Sequence, residues 1–170
     1  MELSKDLSEF IRLMNERGVQ YLLVGGWAVG YHSVPRFTGD IDFLIGTQRR
    51  NAQAILKVLN EFGFGSVGIT LEDLMRAHYV IQLGRPPNRI DLITSIDGVL
   101  FEKAWANRIK GEIGSVPVTL ISVDDLMKNK EAAARPKDLM DLHALKMVLA
   151  NSKHSAKAKP IRKVRKAPRP

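Results

Sequence analysis

Residues 39–45, Gly-Asp-Ile-Asp-Phe-Leu-Ile, alternate acid and apolar side chains with the period of a β-strand. In that conformation Asp40 and Asp42 share one face, while Ile41 and Phe43 share the other. The apolar face demands a hydrophobic layer beneath it. The acidic face demands water or a cation, because two residues rise about 6.8 Å and two anions at that separation repel by about 2 kcal/mol at an effective dielectric near 20. A nearby Arg or Lys would relieve that repulsion, as would a divalent ion held through carboxylate oxygens. An exposed strand face with solvated aspartates is the plain alternative.

The surrounding sequence narrows these choices. An apolar run at residues 19–24 leads into Gly25-Gly26, whose second glycine lies fourteen residues before Asp40. A glycine pair at a strand end lets the backbone approach a phosphate closely and leaves the next helix's N–H groups free to bind it, although such a pair also serves as an ordinary turn. Asp91 is flanked by Ile90, Leu92 and Ile93. A carboxylate in such a strand requires a partner. Arg89, two residues earlier on the same face, would supply a structural ion pair. If the two acidic strands are neighbours, Asp40, Asp42 and Asp91 converge, an arrangement suited to Mg²⁺.

Periodicity supplies the frame. Leu3, Leu7, Phe10, Ile11 and Met14 predict an amphipathic helix closed at Gly18; Ala52, Ile55, Leu56 and Leu59 predict another over 49–62. A short helix is expected over 27–33, and one over 71–77 with Thr70 as N-cap. Strands at 79–83 and 89–94 flank a Gly-Arg-Pro-Pro-Asn reversal. Residues 99–107 read as helix, 108–114 as a segment turning into a strand at 116–121. Ser122 caps a helix to Ala134, and Pro136 opens a last one to about Ala150. The expected fold class is α/β (α+β): a small mixed sheet flanked by helices, with a helical C-terminal part.

Length fits one domain over 1–150 and a basic tail over 151–170. All 18 acidic residues lie before Asn151, with 18 of the 26 Lys and Arg, so the tail carries the whole net charge of +8. Rich in Lys, Arg and Pro, the tail is expected to be disordered, and either contacts nucleic-acid phosphates or merely solubilises. With no cysteine, thiolate metal sites and disulfides are excluded. No apolar run approaches the roughly 20 residues of a membrane span. The polar start is unlike a secretory signal, so a cytoplasmic location is expected.

Gly25-Gly26, Asp40-Ile-Asp42 and Asp91 together resemble the active-site pattern of the nucleotidyltransferase superfamily, the polymerase-beta-like fold. Residues 24–29 and 36–42 are similar to the bacterial minimal nucleotidyltransferases, including toxin-like enzymes of abortive-infection type and, more distantly, lincosamide and aminoglycoside nucleotidyltransferases. Residues 126–141 resemble the later Lys…Arg-x-Lys-Asp-x-x-Asp motif of the toxin-like group. Two departures stand out: Gly25-Gly26 replaces the commoner Gly-Ser, and Ala134 replaces a more usual glycine.

The resemblance implies a metal-dependent transfer of NMP from an NTP to a hydroxyl. Asp40, Asp42 and Asp91 would be the catalytic and metal-binding residues for two Mg²⁺ ions, with Asp91 receiving the acceptor's proton. Gly25, Gly26, Arg36, Lys130, Arg135 and Lys137 would bind the nucleotide, and Asp138 would orient them. Lys137 and Asp141, four residues apart, also fit an ordinary helix ion pair. The implied partners are an NTP, an RNA (a tRNA end) or protein acceptor and, in a toxin-antitoxin pair, a cognate antitoxin. An antibiotic acceptor is the alternative within the class. Outside it stands a non-catalytic antitoxin or RNA-binding module of the same fold. His32, His78 and His143 have no metal-like spacing, and Trp27 and Trp105 belong to core or cleft walls.

Overall fold

The alternation along the acidic strand sorts the protein into layers. The computed structural model describes residues 2–35 and 38–157. Among these residues six strands form one mixed sheet: β1 (Tyr21–Leu23), β2 (Asp40–Ile45), β3 (Val80–Leu83), β4 (Arg89–Ile93), β5 (Ile109–Ile113) and β6 (Val116–Leu120), in the spatial order β3-β4-β2-β1-β6-β5. The helices are α1 (Lys5–Glu16), α2 (Gly25–His32), α3 (Arg49–Glu61), α4 (Leu71–Met75), α5 (Phe101–Ala106), α6 (Val123–Ala133) and α7 (Pro136–Lys157).

Ile41, Phe43 and Ile45 point to one side of β2, into a core with Ile90 and Leu92 of β4, Phe10 and Ile11 of α1, and Ile55 and Leu59 of α3. Tyr21 and Phe10 set their rings against Phe43 at centroid separations of 5.3 and 5.9 Å. Leu44 points to the other side, into a second core with Leu22, Val24, Ala28 of α2, Ala104 of α5, Leu126 of α6 and Leu145 of α7. Asp40 and Asp42, in step with Leu44, therefore face this second side, beyond the edge of its apolar packing.

Register decides where the third acid goes. Strands β2 and β4 run parallel, with Asp40 opposite Arg89 and Asp42 opposite Asp91. The expected hairpin joins β3 to β4 in antiparallel pairing. Helix α4 opens with the expected cap, Thr70 accepting from the Asp73 N–H while Asp73 accepts from the Thr70 N–H. Ser122 caps α6 by accepting from the Asp125 N–H, and its hydroxyl donates to the Asp125 carboxylate.

Three elements differ from the sequence expectation, the first being α7, which continues to Lys157, seven residues into the segment expected as a disordered tail. Helix α2 begins at Gly25 rather than Trp27, so the glycine pair forms its first turn. Residues 109–113, expected as a turning segment, form β5, an edge strand paired antiparallel with β6. Its Gly111 lies against Tyr31, whose hydroxyl would be 2.3 Å from an added Cβ. The basic segment 158–170 and Arg36 lie outside the described residues.

Candidate active site

The acidic face of β2 meets β4 at the floor of a cleft of about 470 Å³, whose other walls are the start of α2, the loop after β4, and the α6–α7 junction. One carboxylate oxygen from each of Asp40, Asp42 and Asp91 lies within 4.8 Å of the other two. The convergence expected from sequence is therefore realised by the parallel pairing of β2 with β4.

Each acid has its own support. Thr38 donates its hydroxyl to Asp40 Oδ1 at 2.6 Å, and the Trp27 indole N–H donates to the Asp40 carbonyl at 3.0 Å, fixing the first residue of β2. Arg89 donates from Nη2 to Asp40 Oδ2 and grips Asp91 with two bonds, Nε to Oδ1 at 2.9 Å and Nη2 to Oδ2 at 3.0 Å. Gln82 of β3 adds a bond to Asp91 Oδ2 at 3.2 Å. The cation between the acids is thus Arg89, a residue that sequence reading had placed beside Asp91 alone.

Asp42 is different. Burial is the main cause that pushes its pKa up to about 6, and the neighbouring Asp40 and Asp91 charges push it further, against the opposing pull of Lys130 and Arg89. Its carboxyl therefore has an unmet demand for positive charge. Gly25 makes its position possible. That residue has φ +60°, and a Cβ there would lie 1.9 Å from Asp42 Oδ2. Glycine is required both for the backbone conformation and for clearance.

Across the cleft, the α6–α7 junction carries the basic residues. Lys130 is buried, and its ammonium contacts Asp138 Oδ1 at 2.7 Å and Asp141 Oδ2 at 3.1 Å. Arg135, with an exposed side chain, also reaches Asp138. Burial alone would raise the Asp138 pKa, but the hydrogen bonds from Arg135 and Lys130 outweigh it and hold the carboxyl below its usual range. Lys137, in the first turn of α7, is exposed on the cleft wall. Ser95, Asp97 and Asn129 also line the cleft. Sequence reading passed over them because single polar residues in a loop and on a helix carry no spacing signal. Thr38 and Gln82 were missed for the same reason. His32 bonds the Ile121 carbonyl in a half-buried setting, while His78 is a surface residue bonded to Ser95.

Residues 3–167 match the profile of a family described as "Nucleotidyl transferase of unknown function (DUF2204)". The chain belongs to this family. It is a nucleotidyltransferase enzyme by that membership. Two solved structures share the fold. A lincosamide antibiotic adenylyltransferase, LnuA, in its lincomycin-bound form, is similar over 86% of this chain and 98% of its own, at 18% identity and a TM-score of 0.55. The enzyme ANT(2")-Ia in complex with adenylyl-2"-tobramycin is similar over 87% of this chain and 90% of its own, at 16% identity and a TM-score of 0.51. No curated protein matches the sequence at a significant level. Among the described residues of this nucleotidyltransferase, no helix is long and apolar enough to cross a membrane.

Proposed function

We propose that this nucleotidyltransferase moves NMP from an NTP to a hydroxyl, with Asp40, Asp42 and Asp91 as its reaction centre. The observation that carries the proposal is the gathering of three carboxylates within 4.8 Å beside a helix start that only glycine permits. An all-oxygen, triply anionic donor set fits a hard divalent ion such as Mg²⁺, and its residents would be Asp40, Asp42 and Asp91. When bound, such ions, two in the full arrangement, lower the pKa of an attacking hydroxyl and neutralise charge on the leaving group.

The chain's own residues do the rest. Gly25 and Gly26 present backbone N–H groups of the first turn of α2 to the phosphates, with no side chain in the way. Arg135 and Lys137, at the N-terminal end of α7, offer mobile positive charge to the β and γ oxygens, with Arg36 as a further candidate. Lys130, tied to Asp138 and Asp141, holds that wall in place and lends positive potential to Asp42. In the transfer, the acceptor oxygen forms a bond to the α-phosphorus, the bond from that phosphorus to the bridging oxygen breaks, and pyrophosphate leaves. The acceptor's proton passes to Asp91. Such chemistry relies on positioning and charge more than on covalent participation by the protein.

Two acceptor classes follow. An RNA end or a protein hydroxyl, with a toxin-antitoxin setting in the cytoplasm, is suggested by the motif over 126–141 and by the basic segment after 150. A small hydroxylated molecule is favoured by a cleft of about 470 Å³, the size of a small-molecule site, and by the two fold neighbours. The test incubates the full chain with each α-labelled NTP and Mg²⁺, offering total cell RNA, the protein itself, lincomycin or tobramycin. Label should appear on one of these acceptors, and Asp40→Asn or Asp42→Asn should lower it by at least about a hundredfold. Undiminished labelling in both variants would refute the assignment of the acids. No labelling of any acceptor, with intact RNA binding, would favour a non-catalytic module.

A further inference from the structure

Arg89 occupies a place that the proposed reaction needs. It stands opposite Asp40 in the β2–β4 register and two residues before Asp91, so its side chain emerges on the acidic face between them. Its guanidinium is bonded to Asp40 and, through two nitrogens, to Asp91. The three contacts use the planar fork of arginine in a way that a lysine could not reproduce. The side chain is 29% exposed, with the cleft open before it. No hydrogen bond joins Arg89 to Asp42 among the described contacts, so the fork bonds two acids and reaches the third through its charge alone.

We propose that Arg89 is the resident counter-ion of the acid trio, competing with the divalent ion for Asp40 and Asp91 and withdrawing onto the nucleotide's phosphates. This rests on the NTP reading above and adds a regulation to it: metal loading depends on nucleotide. A guanidinium and a divalent ion compete for these carboxylate oxygens, because both are cations and the ion demands close oxygen ligands at about 2.0–2.1 Å. The guanidinium therefore leaves Asp40 when the ion arrives. A triphosphate offers it the bidentate oxygen geometry that it gives up. Arg89 is a positioning residue in the free protein: it keeps two like charges at their working separation before any ligand binds. Its withdrawal also frees the Asp91 oxygens that would take the acceptor's proton.

The test reads metal binding directly. Mn²⁺ uptake by the full chain is followed from the free-ion EPR signal, with and without a non-hydrolysable ATP analogue, for the wild type, Arg89→Met and Arg89→Lys. Wild type should bind Mn²⁺ weakly alone and more tightly with the nucleotide. Arg89→Met should bind Mn²⁺ alone at least about tenfold more tightly than wild type, since a positive charge next to the site has gone. Its gain from nucleotide should shrink. Arg89→Lys, which keeps the charge and loses the fork, should fall between the two. Thermal melts in EDTA check that each variant is folded, and Arg89→Lys carries the comparison if the methionine variant is not. Equal or weaker nucleotide-free Mn²⁺ binding in the folded variants overturns the counter-ion role alone. Absence of Mn²⁺ binding by every chain, even with nucleotide, overturns the metal reading and this inference with it.

Discussion

Lys128 and Lys130 lie two residues apart on α6, each within salt-bridge distance of a buried aspartate, yet replacing them should have very different consequences. The Lys128 side chain is 61% exposed, and its ammonium reaches Asp125 from solvent. The Lys130 side chain is 6% exposed and sits between Asp138 and Asp141, themselves 2% and 7% exposed. Lys130→Met leaves two buried carboxylates without their shared cation, a loss of about 3–5 kcal/mol in comparable buried pairs. Arg135 still contacts Asp138, so the lower end applies. At roughly 2–4 °C per kcal/mol for a chain of this size, the melting temperature should fall by 6–12 °C. Lys128→Met should change stability by less than about 1 kcal/mol.

The pH dependence separates this cause from a mere packing defect. Lys130 is one of the cations that hold the Asp138 carboxyl below its usual range against burial. Removing it moves that folded-state pKa up, so the defect relative to wild type is complete at neutral pH and is lost as pH falls through the depressed wild-type value, below about 4. Urea unfolding of both variants from neutral pH down to about pH 3 measures it. A Lys130→Met defect below about 1 kcal/mol, or one that does not shrink on acidification, would sink the reasoning. The added change Asp138→Asn should recover part of the lost stability, because the two sites are coupled.

Two further outcomes follow from the same geometry. Gly25→Ala should lower stability by about 1–2 kcal/mol from the left-handed backbone alone, and should also displace Asp42, whose Oδ2 would be 1.9 Å from the new methyl carbon; unchanged melting with unchanged label transfer would contradict the proposed fit. Asp125 and Asp138 have pKa values held below the usual range. Burial opposes this in both, but it is outweighed at Asp125 by bonds from Lys128, Asn107 and Ser122, and at Asp138 by bonds from Arg135 and Lys130. The stability each contributes is complete above the unfolded-state pKa and is lost as pH falls through the depressed folded value. Asp125→Asn should therefore flatten the acid limb of a pH-unfolding curve followed by circular dichroism, and an unaltered limb would count against those hydrogen bonds as the source.

What could be read before folding depended on whether the decisive contact was local. The strand of Asp40 and Asp42 was legible because alternation imposes two faces on a short segment whatever surrounds it. Asp91 was legible because an acid flanked by Ile90, Leu92 and Ile93 violates the pattern of its own strand. Strand β5 was not, since Ile-Lys-Gly-Glu-Ile mixes charge and glycine, and its place is set by pairing with β6 and by the Tyr31 hydroxyl over Gly111. The start of α2 was hidden for a related reason. A glycine pair is a poor opening for a helix on propensity alone, and only the Asp42 carboxylate, seventeen residues away in the chain, explains why no other residue will do.

The basic residues show most clearly where sequence reading stops. Lys130, Arg135 and Lys137 look alike in sequence, three cations within eight residues. Folding separates them through one backbone feature: Ala134 takes the left-handed conformation, φ +50°, and reverses the chain between α6 and α7. That reversal stacks Lys130 beneath α7, where Asp138 and Asp141 lie one turn apart and claim it, while Arg135 and Lys137 emerge at the helix start facing the cleft. Glycine, the more usual residue at this point of the motif, adopts the same conformation without strain. The motif's spacing is therefore a statement about chain reversal first. Its charges divide between holding the wall and facing the cleft only because that reversal occurs, and Arg89, which carries no part of the motif, is the cation bonded to Asp40 and Asp91.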